Sequence, residues 1–163
     1  MKQLDEEESK KQEQLKAYEK NKTGFDPSKL VYGGNVGAAF NTNYSYVLAQ
    51  PMVGYKVYPK TIAGLGFTYI YQSNNIGGKT YSTSAYGPIV FVRQSLIPQI
   101  FLHAEYQPIN HQISITERTW TNQLFVGGGL GSSGAQVYVL YDVLHSSQSL
   151  YASPWMIRIG FMF

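Results

Sequence analysis

Residues 155–163 read WMIRIGFMF. Side chains of an extended strand alternate between two faces, so every second residue of this stretch shares a face. One face holds only apolar and aromatic side chains: Trp155, Ile157, Ile159, Phe161 and Phe163. The other face holds Arg158 and Gly160 between two methionines, which is the reverse of what a soluble core strand would place beside such a row. The aromatic row therefore needs a nonaqueous neighbour, and lipid is the candidate that the rest of the chain has to support.

The charged residues are concentrated at the start of the chain. Residues 1–29 contain seven lysines and seven acidic residues, whereas the rest of the 163-residue chain carries only nine charges. Aromatic residues make up 15% of the chain and charged residues 14%, a composition that favours β structure. We therefore divide the sequence into a charged N-terminal extension, residues 1–29, helical or disordered, and a β-rich body, residues 30–163.

The composition also argues against several classes of protein. The net charge of +3 is not gathered into a basic cluster in the body, which disfavours nucleic-acid binding. The chain has no cysteine, which excludes disulfide and thiolate chemistry. No apolar run is long enough for a membrane-spanning helix, so a closed barrel is the remaining way to cross a bilayer. The first residues contain no apolar signal segment, and we expect that a natural precursor carried one, since removed, and that Met1 was added.

Alternating segments recur along the whole body. We predict strands at residues 30–40, 45–57, 62–72, 81–93, 99–107, 119–130, 135–145 and 155–163. Most have about ten residues, the length that a tilted strand needs to cross a bilayer. Short connections alternate with longer, more polar ones, as is typical of outer-membrane barrels. The short ones are 58–61, 94–98 and 131–134, and the longer ones are 73–80, 108–118 and 146–153. The sequence thus predicts an all-β fold, an eight-stranded antiparallel up-and-down transmembrane β-barrel with a short polar N-terminal extension.

The same alternation places charged residues on the inner face of the predicted barrel. These residues are Lys56, Arg93, Glu105, Asp142 and Arg158. In the strand that contains Arg93, we assign the face with Arg93 to the inside, because an arginine facing lipid near mid-membrane costs about 2–4 kcal/mol. The interior of an eight-stranded barrel is just wide enough for side chains to fill, and buried charges must be paired. We therefore predict a lumen plugged by an ion-pair network, with a narrow ion path as the alternative.

Aromatic residues mark the opposite, outer face. They are Tyr32, Tyr55, Tyr69, Tyr106, Trp120, Tyr141 and Trp155. Rings with one polar group suit the boundary between lipid headgroups and water, so we predict that these residues lie at the membrane interface. The alternative is the general preference of β-strands for aromatic residues.

Residues 30–163 resemble the small eight-stranded outer-membrane β-barrels of Gram-negative bacteria, OmpA/OmpX-like in plan and closest to the flavobacterial type. The strands that carry the resemblance are NVGAAF (35–40), VGYKVYPKTIAGLGFTY (53–69), AYGPIVFVR (85–93), HAEY (103–106) and VYVLYDVL (137–144). The terminal stretch with Phe161 and Phe163 is similar to the C-terminal signal that the barrel assembly machinery recognises. The resemblance implies an outer-membrane protein with both termini in the periplasm, and it brings no catalytic motif. The charged extension is not a feature of that family.

Candidate catalytic side chains lie near the rim of the predicted barrel. They are His111, Ser114, Glu117, His145 and Ser146. Their spacing reproduces no esterase motif, and the three histidines lack metal-ligand spacing, so we expect no enzyme activity, metal or cofactor. The predicted role is structural or binding, through the exposed longer loops. The predicted partners are outer-membrane lipid and lipopolysaccharide, the assembly machinery, and a protein that makes the chain an accessory subunit of an outer-membrane complex. The alternatives are a lipid A-modifying acyl hydrolase or transferase, and a soluble lipocalin-like carrier with its apolar face inward.

Overall fold

The computed structural model describes residues 10–16, 24–114, 116–131 and 134–163. The chain divides into two units, Met1–Leu30 and Val31–Phe163. In the first unit, residues 10–16 form an exposed α-helix and Pro27–Lys29 form a 3₁₀ helix. Among the described residues, no helix has both the length and the apolar character needed to cross a membrane. The predictions for residues 1–9 and 17–23 lie outside the described residues.

Eight strands make up almost all of the rest of the chain. They are β1 (Leu30–Asn41), β2 (Tyr44–Tyr58), β3 (Thr61–Ile76), β4 (Lys79–Ile97), β5 (Ile100–Gln112), β6 (Arg118–Gly131), β7 (Gly134–Asp142) and β8 (Trp155–Met162). Neighbours in sequence are neighbours in the sheet, and β8 returns to pair antiparallel with β1. The predicted closed eight-stranded antiparallel up-and-down barrel is therefore confirmed.

The connections define two ends of the barrel. The short-turn rim carries Phe163 and the connections 59–60 and 98–99, and the long-loop rim carries 42–43, 77–78, 113–117 and 143–154. The predicted extents of loops 73–80 and 108–118 were wrong, because β3 runs to Ile76, β4 begins at Lys79 and β5 runs to Gln112. The predicted connection 94–98 was also too long, because β4 runs to Ile97. β3 and β4 meet at the turn of Gly77 and Gly78, whose φ angles are 59° and 77°. Two consecutive positive φ angles give the tight hairpin turn that glycine favours.

Burial alternates along the strands as the predicted parity requires. In β4, β5, β7 and β8 nearly every second residue is buried, and its neighbours are exposed. The buried face lines the lumen, where three apolar clusters form the core. Arg93, Glu105 and Arg158 are inside, whereas Ile157 and Phe161 are outside and exposed. The direction of each face, which the sequence argument depends on, is therefore confirmed.

Candidate functional site in the barrel lumen

An ion pair bridges the lumen between β5 and β8. Arg158 Nη1 donates to both Oε1 and Oε2 of Glu105 at 2.8 Å. Glu105 is 0% exposed and Arg158 3% exposed, and the guanidinium carbon of Arg158 lies 4.7 Å from the centre of the Phe125 ring. His103 Nε2 lies 3.2 Å from Glu105 Oε2. Because charges removed from water are costly when unpaired, these contacts fix Arg158 and Glu105 in one arrangement.

Arg93 occupies a separate position nearer the short-turn rim. It donates through Nη1 to Gln136 Oε1, and its guanidinium carbon lies 4.3 Å from the centre of the Phe101 ring. An aromatic face attracts a cation, and more strongly where water is excluded. Arg93 and Lys56 both line a cavity of about 190 Å³ at this end of the lumen. The short-turn mouth is therefore lined by two cationic side chains.

Neutral polar side chains form a hydrogen-bonded belt across the lumen. Gln50 Nε2 donates to Thr68 Oγ1 at 2.8 Å and to Gln107 Oε1 at 3.1 Å. Gln107 Nε2 donates in turn to Gln123 Oε1 at 3.2 Å, and Asn35 Nδ2 donates to Gln50 Oε1 at 2.8 Å. The five side chains come from β1, β2, β3, β5 and β6. We call these five side chains the amide belt, which crosses the lumen through hydrogen bonds between its members.

The predicted ion-pair network needs a correction. The structure brings Glu105 and Arg158 together and places Arg93 among neutral and aromatic groups. Lys56 is on the inner face but is exposed at the short-turn rim, since the barrel ends there. Asp142 is buried, yet its Oδ1 accepts from the backbone N–H groups of Leu124 and Leu144, both at 3.1 Å. Among the described residues, neither Lys56 nor Asp142 forms an ion pair, so Asp142 fixes the start of the 143–154 connection instead.

The predicted interface aromatics all lie on the outer face. Tyr32 hydrogen-bonds through its backbone with Phe163 at the short-turn rim, and Tyr55 opposes Ala63 near the same end. Tyr141 and Trp155 are paired neighbours beside the 143–154 connection, with ring centres 4.9 Å apart. Tyr69, Tyr106 and Trp120 are also exposed. Their role at a membrane interface stays a prediction, as does the assembly signal of Phe161 and Phe163.

The connection between β7 and β8 folds into the barrel mouth. Leu150 and Tyr151 pack against the inner apolar cluster of Leu48 and Ile70, and the Tyr151 ring lies 6.1 Å from that of Phe125. Burial raises the pKa of the Tyr151 hydroxyl above its usual range. The predicted exposed loop 146–153 is exposed at Ser146, Ser147 and Gln148, but the prediction was wrong for Leu150 and Tyr151, which pack into the lumen at the long-loop rim.

A polar cavity of about 520 Å³ lies beside Leu150 at the long-loop rim. Its lining includes Gln72, Thr83, His111 and Gln148, with Leu150 as its apolar floor. His111 is buried on the inner face of β5 and contacts the backbone of Gln148. The cavity is lined by hydroxyls, amides and one imidazole, which can hydrogen-bond a neutral polar ligand.

The candidate catalytic residues are not assembled into a site. Ser114 and Glu117 are exposed and are joined only through their backbones, Ser114 N–H to Glu117 O at 3.3 Å. Ser146 Oγ accepts from the backbone N–H of Gln148. Within the described residues, no serine hydroxyl is hydrogen-bonded to the ring of His111 or His145. A nucleophile needs an adjacent base to be activated, and that pairing is not formed here.

Comparison with known proteins gives no family model that matches, no similar curated protein and no similar solved structure. The class that fold and site define is therefore a closed eight-stranded β-barrel whose lumen is filled by a buried ion pair and an amide belt.

Proposed function

We propose that this chain is an integral outer-membrane protein with a solute-tight lumen, acting in binding or structure through its long-loop rim. The observation that carries the proposal is a belt of exposed apolar side chains on the outer face of all eight strands. One from each strand illustrates it: Val36, Val53, Leu65, Val92, Leu102, Val126, Val139 and Ile157. Monomeric soluble proteins rarely expose contiguous apolar patches larger than roughly a few hundred Å². Lipid supplies the apolar neighbour that this belt requires.

The distribution of charge on the outer face supports the same proposal. Arg118 is the one charged side chain at an outer-face position of the described strands, and it lies at the start of β6 at the long-loop rim. Its Nη2 donates to the backbone oxygen of Ser84 at 2.9 Å, and its guanidinium carbon lies 5.1 Å from the centre of the Tyr86 ring. Arginine beside aromatic rings is typical of a membrane boundary. The rest of the outer face is mainly apolar and aromatic, and the hydroxyl of Tyr106 donates to Oδ1 of the exposed Asn122 at 3.0 Å.

The position of the termini supports an orientation. Strand barrels of the outer membrane have short periplasmic turns and longer external connections. In this orientation the short-turn rim and both barrel termini face the periplasm, and the tip of the β3/β4 hairpin, 113–117 and the outer part of 143–154 face outside. Lipopolysaccharide and external ligands then meet the long-loop rim. A protein partner for the charged extension would act from the periplasmic side.

The soluble-carrier alternative requires the apolar faces of the strands to point inward. A lipocalin-like barrel turns its apolar face toward a ligand cavity, whereas here the inner face holds Arg93, Glu105, Gln107 and Arg158, and the apolar row faces out. The lumen at mid-height is occupied by the ion pair and the amide belt. A soluble carrier would need its ligand cavity in the space that these side chains occupy.

The test is expression with a signal sequence, followed by fractionation and gel electrophoresis. We expect the chain in the outer-membrane fraction, extraction only with detergent, and a folded band whose mobility changes on heating. Reconstituted into planar bilayers, it should give no steady conductance above background. A monodisperse monomer in detergent-free buffer would contradict the proposal, and lipid A mass shifts on expression that vanish in His111→Ala or His145→Ala would favour the enzyme alternative.

A further inference from the structure

The seam between β1 and β8 is only partly paired. Its ladder consists of Gly33–Met162, Gly34–Phe161 and Asn35–Gly160, preceded by two backbone hydrogen bonds between Tyr32 and Phe163. β1 continues to Asn41 and β8 begins at Trp155, yet in the described parts of these strands no ladder pair follows Asn35–Gly160. On its other side β8 pairs with β7 along its whole length. The wall is therefore closed toward the short-turn rim and open toward the long-loop rim.

Packing at the glycines of β1 changes at the same point. A Cβ atom on Gly33 would collide with the carbonyl oxygen of Phe161, because the two strands approach closely there. A Cβ atom on Gly37 would meet nothing nearer than Leu48 Cβ at 3.5 Å, an ordinary van der Waals contact. The strands separate between these two positions, and space begins at Gly37.

A cavity of about 520 Å³, the seam cavity, occupies this space. Outer-face side chains line it from one side, among them Val36, Ile157 and Ile159. Inner-face side chains line it from the other, among them Leu48 and Met156. A cavity bounded by both faces of a sheet passes through the wall, and its lining is mostly apolar.

The open edge of β8 has a partner from its own connection. In a continued ladder Trp155 would oppose Phe40, with its N–H directed toward β1. Instead, the Trp155 N–H donates to Ser153 Oγ at 3.1 Å. An unpaired edge is unfavourable in lipid because backbone groups must be satisfied within the protein. Ser153 satisfies the first of these groups, at the long-loop end of the opening.

We propose that the seam cavity is a lateral portal that takes up an acyl chain of a membrane lipid. This rests on the proposed membrane location, because the opening lies within the apolar belt and would there face lipid. The volume falls in the range of about 300–1,000 Å³ that is typical of small-molecule sites. An acyl chain matches the apolar lining and enters by sideways diffusion, without crossing water. No bond is made or broken in this step.

The test is photolabelling in vesicles of phosphatidylethanolamine and phosphatidylglycerol that contain a phospholipid with a diazirine near the end of one acyl chain. Peptide mapping by mass spectrometry then locates the labels. A lipid at the barrel surface labels outer-face residues such as Val139. The portal predicts additional labelling of Leu48 and Met156, whose side chains face inward. In Gly37→Leu, whose new side chain narrows the cavity beside Leu48, we expect inner labelling to fall at least tenfold and outer labelling to stay unchanged.

Two further variants control this result. Ala104→Leu also introduces a leucine, on the outer face of β5 and away from the seam, and should leave inner labelling unchanged. Ala38→Cys with Ile157→Cys places a cysteine pair at opposing positions of the open seam, in a chain that otherwise has no cysteine. Oxidation of this pair should abolish inner labelling, and reduction should restore it.

Three outcomes would overturn the portal. Labels confined to the outer face refute it while the membrane proposal stands. Inner labelling that survives Gly37→Leu and the oxidised cysteine pair shows a different route of entry. A crosslinked dimer through the seam without inner lipid labels identifies the occupant as a strand of a second copy. Absence of outer labels as well would instead refute the membrane location itself.

Discussion

The lumen and the outer belt are made by the same eight strands, yet they are stabilised in opposite ways. In the lumen polar side chains are bonded to one another, as Glu105 is to Arg158 and Gln107 is to Gln50. On the belt, side chains such as Val139 and Ile157 are exposed and have no such partners. The effect of a lumen substitution on the free energy of unfolding should therefore depend on which groups it leaves unpaired. The effect of a substitution on the belt should depend on how deep the residue lies in the bilayer.

The largest expected effect is that of breaking the lumen ion pair. In Glu105→Gln, Arg158 stays charged and buried without its carboxylate, which should lower the free energy of unfolding by about 3–5 kcal/mol. Urea unfolding in vesicles, followed by tryptophan fluorescence, measures this. The double variant Glu105→Leu with Arg158→Met removes both charges and should recover most of the loss. A cost below about 1 kcal/mol for the single variant would show that the pair is not buried as described.

A charge on the belt should have the next largest effect. Val139→Arg places a cation on the outer face of β7 in the middle of the apolar belt, and should cost about 2–4 kcal/mol in a bilayer. Ser82→Arg is the matched control, because Ser82 also lies on the outer face but in the exposed β3/β4 hairpin. Equal costs for the two variants in the same vesicles would contradict a lipid neighbour for the belt.

The sequence was sufficient for the barrel because its strands alternate strictly. Arg93, Glu105 and Arg158 lie on one face of their strands and the aromatic rows lie on the other. The inner and outer faces can therefore be assigned for each strand from its own sequence. The position of Tyr151 was not predictable in this way, because a connection has no fixed period and its inward fold depends on the space left between Leu48 and Phe125. The resemblance to outer-membrane barrels stays a prediction.

Contacts between distant strands were also beyond the sequence. Nothing local distinguishes Asn35, where the β1/β8 ladder ends, from Gly37, where the seam cavity begins. The pairing within the amide belt could not be predicted, since Gln50 and Gln107 are ordinary polar residues until their strands are placed side by side. Lys56 shares the inner parity, and only the end of the barrel explains its exposure.

Removing the centre of the amide belt should have an intermediate effect. Gln107→Ala leaves Gln50 and Gln123 each without one hydrogen-bond partner in a buried site, which should cost about 1–3 kcal/mol. Gln72→Ala, at the long-loop rim, should leave the free energy of unfolding unchanged within about 0.5 kcal/mol. Similar values for both variants would mean that the belt adds nothing specific.

The last comparison separates water from lipid at equal exposure. Ile76 on the β3/β4 hairpin is 68% exposed and Ile157 on the belt is 72% exposed. In vesicles, Ile76→Ser should change the free energy of unfolding by no more than about 0.5 kcal/mol, whereas Ile157→Ser loses contact with lipid and should cost about 1.5–3 kcal/mol. If Ile157→Ser were as mild as Ile76→Ser, the belt would face water.

The pairing of Tyr32 with Phe163 has a consequence for the order of folding, because it joins the first strand to the last. Contacts between residues far apart in sequence form late, since closing a long loop loses chain entropy before any contact compensates for it. The short β1/β8 ladder supplies only a few hydrogen bonds to offset this loss of chain entropy. We therefore expect ring closure to be the final event of folding and the first to reverse, and the amide protons of Tyr32 and Phe163 to exchange with deuterium faster than those of the β5/β6 pair.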